Sequence, residues 1–149
     1  MKRDDLSGPI PNTGYLLNKT AAAIHAMAAE ALAPLAIAPR DLGVLLAIAG
    51  AGPLSQKDVG ELRRIDRTTM VEIIDRMEGL GLVRRSADPA DRRCHLLSLT
   101  ERGGEVAQSG LEIGCAVEDR YLRPLVGEDR AHLRRILTIL YDQKDGEQP

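Results

Sequence analysis

Residues 66–100, DRTTMVEIIDRMEGLGLVRRSADPADRRCHLLSLT, join a short amphipathic helix to a charged hairpin, and their reading decides the fold. Met70, Ile73, Ile74, Met77 and Leu80 recur at spacings of three and four, which gathers them on one helix face and anchors that face in a core. The opposite face carries Thr68, Thr69, Glu72 and Arg76. Gly79 and Gly81 break the helix. Residues 82–86 and 95–99 then read as two short strands around a tip holding Asp88, Pro89, Asp91, Arg92 and Arg93. A helix followed by a basic hairpin is the pattern of a winged helix, which points to a chain that binds DNA.

Immediately upstream, Ser55 with Asp58 three residues later resembles a capping box and starts a short helix over residues 56–63, with Val59 and Leu62 as its narrow apolar edge. Arg64 and Ile65 make a tight connection, and Asp66 caps the next helix by accepting from amides near Thr68 and Thr69. Two short helices joined this closely form a helix-turn-helix, over about residues 55–79. The second helix of such a pair lies in the major groove with its N-terminal residues near base edges. Ser55, Gln56, Arg67, Thr68, Thr69, Glu72 and Arg76 are therefore the DNA-binding candidates of this part. The same pattern also fits a solvated helix face with pairs such as Glu72 and Arg76 at i,i+4. In the hairpin, over about residues 82–99, Asp88 and Pro89 set a turn and Asp91 can hold a neighbouring guanidinium or loop amides. The tip arginines can then extend along phosphates or into a minor groove.

These motifs resemble the MarR (multiple antibiotic resistance regulator) family of winged helix-turn-helix regulators. The residues that carry the resemblance are Asp66-Arg67-Thr68-Thr69, Ile74-Asp75-Arg76-Met77-Glu78, Gly81-Leu82-Val83-Arg84-Arg85, Asp88-Pro89-Ala90-Asp91-Arg92-Arg93 and Leu99-Thr100-Glu101-Arg102-Gly103. The resemblance implies a mainly α (α+β) winged helix-turn-helix with about six helices and a small two- or three-stranded β-wing. It also implies a homodimer formed through both chain ends, Arg93 as the groove-inserting residue and Arg92 as a phosphate contact. Relatives more often bind a small aromatic or phenolic anion in a crevice between the dimer helices and the DNA-binding lobe. His25 and Arg40 are the polar residues placed to line such a site here.

The flanks fit this reading. Residues 1–12, with Gly8, Pro9 and Pro11, make an irregular arm, and a helix runs over about 13–33 until Pro34 stops it. A lone histidine such as His25 within that helix also fits a satisfied structural residue. Pro39 opens a second, nearly all-apolar helix that Gly50 and Gly52 close. Thr100 caps a helix over about 101–122 in which Gly103, Gly104, Gly110 and Gly114 threaten straightness. A last helix spans about 128–144, with Leu133, Ile136, Leu137, Leu140 and Tyr141 on one face. The apolar stripes of the first and last helices exceed what one small core can cover, so helices 13–33 and 101–144 are expected to bury them against a second copy. Such a dimer reads a pseudo-palindromic duplex with half-sites about one helical turn apart.

Composition supports one domain over residues 1–149, with 44% hydrophobic residues but no Phe or Trp and three Tyr, so the core is aliphatic. The net charge of −2 hides a contrast: residues 63–93 hold eight arginines against six acids, whereas the rest is acidic overall. No run of ~18 apolar residues marks a membrane helix and no signal-like segment opens the chain, so a cytoplasmic protein is expected. Two cysteines, Cys94 and Cys115, are too few for a disulfide framework and lack zinc-site spacing. No phosphate-binding glycine loop, H-E-x-x-H or nucleophile elbow is present, so neither an enzyme, a metal nor a cofactor is expected. The reading is thus a homodimeric repressor released by a small ligand. Two alternatives stand beside it: a winged-helix module that binds a protein partner, or a redox-sensing regulator using Cys94 or Cys115. For the last, Arg92 and Arg93 would lower the Cys94 pKa, while Cys115 fits a small core residue.

Overall fold

The computed structural model describes residues 12–91 and 93–142. Arg92, the arm up to residue 11 and the end of the expected last helix (143–144) lie outside the described residues. In chain order the elements are α1 (Thr13–Leu32), a 3-10 turn (Ala33–Leu35), α2 (Pro39–Ala51), β1 (Leu54–Ser55), α3 (Gln56–Arg63), α4 (Arg67–Gly79), β2 (Val83–Ala87), β3 (His95–Leu99), α5 (Glu101–Tyr121) and α6 (Asp129–Tyr141). This is the mainly α winged helix-turn-helix that the sequence implies, with the wing sheet at three strands.

Local chemistry sets the element ends. Asn12 caps α1 by accepting from the Tyr15 amide at 2.8 Å. Pro34 sits in the 3-10 turn that ends α1, and Ala36 leaves it in the left-handed region at φ 56°. Pro39 occupies the first turn of α2, where its missing N–H costs nothing, while the Asp41 carboxylate reaches back to the Ala38 amide at 2.8 Å. In the sheet, β3 is central and antiparallel to both neighbours, with Leu97 opposite Leu54 on one side and Arg85 on the other.

Contacts divide the chain into two compact units, one up to Val117 and one from Glu118. The first contains an aliphatic core in which Val44, Leu45, Val59, Ile74, Met77 and Leu97 are fully buried. Met70 and Ile73 join Ile74 and Met77 on the inner face of α4, while Leu80, just past the helix end, is half-buried; each buried side chain of this size contributes roughly 1.5–3 kcal/mol. Leu62 departs from the expectation of an apolar edge on α3, since it is exposed and only Val59 is covered.

The glycines of α5 do not interrupt the helix, which runs unbroken from Glu101 to Tyr121. Within α5, Gly103, Ala107, Gly110 and Val117 recur at spacings near three and four and form its buried face. Gly103 lies directly against the backbone of Leu82: a Cβ there would stand 1.9 Å from the Leu82 carbonyl oxygen. Thr100 secures the same junction, receiving the Gly103 amide at 2.9 Å and donating its hydroxyl to the Gly81 carbonyl at 2.6 Å. Cys115 falls off the buried face and is exposed, which corrects its expected core role.

In the second unit, Arg130 donates to the Asp119 carboxylate at 3.0 Å and to the Leu122 carbonyl at 3.2 Å, and Arg134 pairs with Glu118. These are exposed pairs worth little individually. On α6, Ile136, Leu137, Leu140 and Tyr141 are exposed and only Leu133 is half-buried. On α1, Tyr15, Leu16 and Leu17 are likewise exposed.

Candidate nucleic-acid interface

The α3–α4 connection is rigid for identifiable reasons. Ser55 accepts from the Asp58 amide at 3.1 Å and donates its hydroxyl to the Asp58 carboxylate at 2.6 Å. Arg64 turns the chain in the left-handed region at φ 51°, after which the Ile65 amide returns to the Gly60 carbonyl at 2.9 Å. Asp66 then caps α4, accepting from the Thr69 hydroxyl at 2.6 Å and the Thr69 amide at 3.0 Å. Those bonds from Thr69 hold the Asp66 carboxyl below its ordinary range.

This geometry sorts the α4 candidates. Arg67, Thr68 and Glu72 are exposed on the first turns of the helix. Thr69 is half-buried, and its hydroxyl serves Asp66. Arg76 does not pair with Glu72; its guanidinium reaches instead to Asp41, 35 residues earlier on α2. The Asp41 side chain is 3% exposed and that of Arg76 49%, so the pair straddles the surface of the first unit. Of the α3 candidates, Gln56 is half-buried and the Ser55 hydroxyl is committed to Asp58.

In the wing, both aspartates bind loop amides, the second of the two partners expected for Asp91. Asp88 accepts from the Ala90 amide at 2.8 Å and Asp91 from the Arg93 amide at 2.9 Å, while the Cys94 amide returns to the Asp91 carbonyl. Arg93 is exposed at this tip, and its guanidinium has no partner among the described residues. Arg92 lies outside the described residues.

Cys94 departs from expectation. The Asp91 carboxylate, whose oxygen lies 3.6 Å from Sγ, pushes the thiol pKa up rather than down.

Two wing arginines were not among the sequence candidates. Arg84 is exposed and donates to the Ser98 hydroxyl at 3.0 Å across the hairpin, adding a cation to the wing's outer face. Arg85 points the other way, to Asp75 at 2.5 Å and to Glu78, and so ties β2 to α4. The hydrogen bond to Asp75 raises the Arg85 pKa further. Strand alternation from the buried Val83 signals the outward Arg84, and the spacing of Asp75 and Glu78 on one helix face signals a cation partner.

His25 and Arg40, distant in sequence, line one crevice of about 360 Å³ together with Ala38, Asp41, Thr69, Glu72, Ile73 and Arg76. Among the described residues no group of three His, Cys, Asp or Glu can hold a metal ion. No single described helix is long and apolar enough to cross a membrane.

A family model described as MarR family matches residues 37–93, which hold the helix-turn-helix and most of the wing. The transcriptional regulator HosA of Escherichia coli O111:H- is 36% identical over 87 residues, covering 58% of this chain and 64% of HosA. The uncharacterized HTH-type transcriptional regulator YdcH of Bacillus subtilis is 30% identical over 111 residues, covering 72% of this chain and 76% of YdcH. The chain belongs to the MarR family. A solved structure addressing regulation of DNA binding of Bordetella bronchiseptica BpsR by 6-hydroxynicotinic acid is 25% identical to this MarR-family chain. It matches with a TM-score of 0.79, over 87% of this chain and 98% of that one. These relatives are regulators, and none is described as an enzyme.

Proposed function

We propose that this MarR-family chain is a sequence-specific, homodimeric transcriptional repressor that leaves its operator when a small aromatic or phenolic anion binds. The observation that carries the reading is the pairing of two projecting elements. The exposed first turn of α4, with Arg67 and Thr68, is tied through Arg85, Asp75 and Glu78 to a wing that carries Arg84 and Arg93 free of acidic partners. A rigid spacing between a base-reading helix and a basic hairpin suits a major groove and its neighbouring minor groove. Ser55 and Gln56, at the start of α3, are assigned contacts to the DNA backbone. The exposed apolar residues of α1 and of α6 favour a second copy of the chain as their cover.

The crevice that His25 and Arg40 line supports this account of release. An anionic ring there meets two cations, Arg40 and Arg76, and Arg76 belongs to the reading helix. The ligand's carboxylate competes with Asp41 for that guanidinium and so shifts the population of DNA-competent dimers. BpsR, whose DNA binding is regulated by 6-hydroxynicotinic acid, makes a ligand of this class reasonable.

Electrophoretic shift on the gene's own upstream DNA tests the first half. Affinity should fall steeply with salt, by roughly 0.9 in the log–log slope for each phosphate contacted. A folded dimer that shows no specific binding at low salt overturns the reading. Arg93→Ala is expected to weaken operator binding by about 1–3 kcal/mol, roughly 5- to 150-fold, with the dimer intact by sedimentation. Unchanged affinity would refute the wing assignment.

A further inference from the structure

The turn between α3 and α4 forms a second hollow, of about 270 Å³, lined by Arg40, Arg63, Arg64, Ile65, Asp66 and Thr69. Three arginines and one aspartate line it, and Ile65 is its single apolar residue. Asp66 offsets one of these positive charges, and its two oxygens also accept from Thr69, at 3.0 and 2.6 Å. Arg40 and Arg63 have no hydrogen-bond or ion-pair partner among the described residues.

Arg63 is also held in place. Its guanidinium lies against α2 at Gly43, where a Cβ would come within 2.4 Å of one terminal nitrogen and 2.9 Å of Cζ. Gly43 thus provides room for a planar cation flush against the helix, and the left-handed turn at Arg64, φ 51°, fixes the chain beside it. Grouping like charges in one hollow is unfavourable unless an anion shares it, and the guanidinium fork matches the oxygens of phosphate. A hollow with one apolar residue offers an aromatic ring little to pack against, unlike typical sites for such ligands.

We propose that this hollow is a phosphate-binding pocket built by Arg40 and Arg63, apart from the residues that read bases. The phosphate can belong to the operator backbone beside the bases that α4 reads, or to a free phosphate-bearing ligand. The first source rests on the DNA-binding reading above, and the second does not.

Two arms on the full-length protein separate these sources, using Arg63→Gln and Gly43→Ala. The latter keeps every charge but displaces the Arg63 guanidinium, and alanine suits a helix interior. Circular dichroism confirms that both variants fold. In the first arm, inorganic phosphate replaces chloride at constant ionic strength while amide shifts of residues 40–43 and 63–69 are followed. A saturable response in the native protein, lost in Arg63→Gln and weakened several-fold in Gly43→Ala, establishes a free-phosphate site. In the second arm, duplex affinity is measured against salt. If the site holds a backbone phosphate, both variants lower the log–log slope by about 0.9 per protomer, equally on operator and unrelated duplexes.

Either response supports the pocket and names its source. Variants that match the native protein in both arms overturn it. So does an effect of Arg63→Gln that Gly43→Ala fails to reproduce, since that reports diffuse charge. A native protein that binds no duplex sinks the DNA-binding reading instead, and the phosphate titration then decides the pocket alone.

Discussion

Replacing Gly103 by alanine is expected to lower the stability of the folded chain by about 2–4 kcal/mol, a drop of roughly 5–15 °C in Tm for a chain of this size. Glycine to alanine within a helix ordinarily stabilises, by up to about 1 kcal/mol. Here the new Cβ would stand 1.9 Å from the carbonyl oxygen and 2.8 Å from the carbonyl carbon of Leu82. Backbone cannot rotate aside as a side chain can. Either α5 must withdraw, breaking the Thr100 bridge between the Gly103 amide and the Gly81 carbonyl, or the α4–β2 link must shift with the fully buried Leu82. Gly104 is the internal control: a Cβ there meets nothing within 4 Å, so Gly104→Ala is expected to be neutral or mildly stabilising. Thermal and urea unfolding of the two variants check the contrast, and equal stabilities would overturn this account of the junction.

Gly103 also illustrates what a sequence reveals and what it withholds. Within the run Leu99-Thr100-Glu101-Arg102-Gly103 it carries part of the family resemblance, but read by itself it looks like a flaw in a helix. The close approach that explains it depends on Leu82, across the hairpin. Local signals were reliable because they are set by neighbours: Ser55, Asp66 and Thr100 accept the amides three residues on, as their positions before apolar runs imply. Likewise the inner face of α4 follows from spacing alone. By contrast, β1 is two residues long and exists through its pairing with β3, some forty positions away. The crevice is intermediate: His25 and Arg40 are legible as polar residues on the flanking helices, whereas Arg76 reads as part of a DNA-facing side and its pairing with Asp41 is not legible. A charge inside an apolar helix, as Asp41 is, announces only that a partner exists.

Arg76→Ala is expected to destabilise the chain more than Asp41→Ala, although both remove the same ion pair. Loss of Arg76 leaves a carboxylate that is 3% exposed with the Ala38 amide as its remaining partner, a cost of about 2–4 kcal/mol, moderated by water entering through the adjoining crevice. Loss of Asp41 leaves a guanidinium already half in solvent and an Ala38 amide that water can reach, about 1–2 kcal/mol. The double variant should therefore sit close to Asp41→Ala alone, and urea unfolding of the four proteins measures the coupling. If Arg76→Ala proves no worse than Asp41→Ala, the buried pair is not what holds α2 to α4. The same cycle separates the two roles open to Arg76. In the Asp41→Ala background its structural task is gone, so a further loss of operator affinity of about 1–3 kcal/mol on removing Arg76, absent on unrelated duplex, identifies a base contact. Equal affinities in that background would make Arg76 a clamp between α2 and α4, leaving Arg67 and Thr68 as the readers. The distinction bears on release as well. In the proposed release, a ligand carboxylate that draws Arg76 from Asp41 would remove a base contact in the first case and loosen the mounting of α4 in the second.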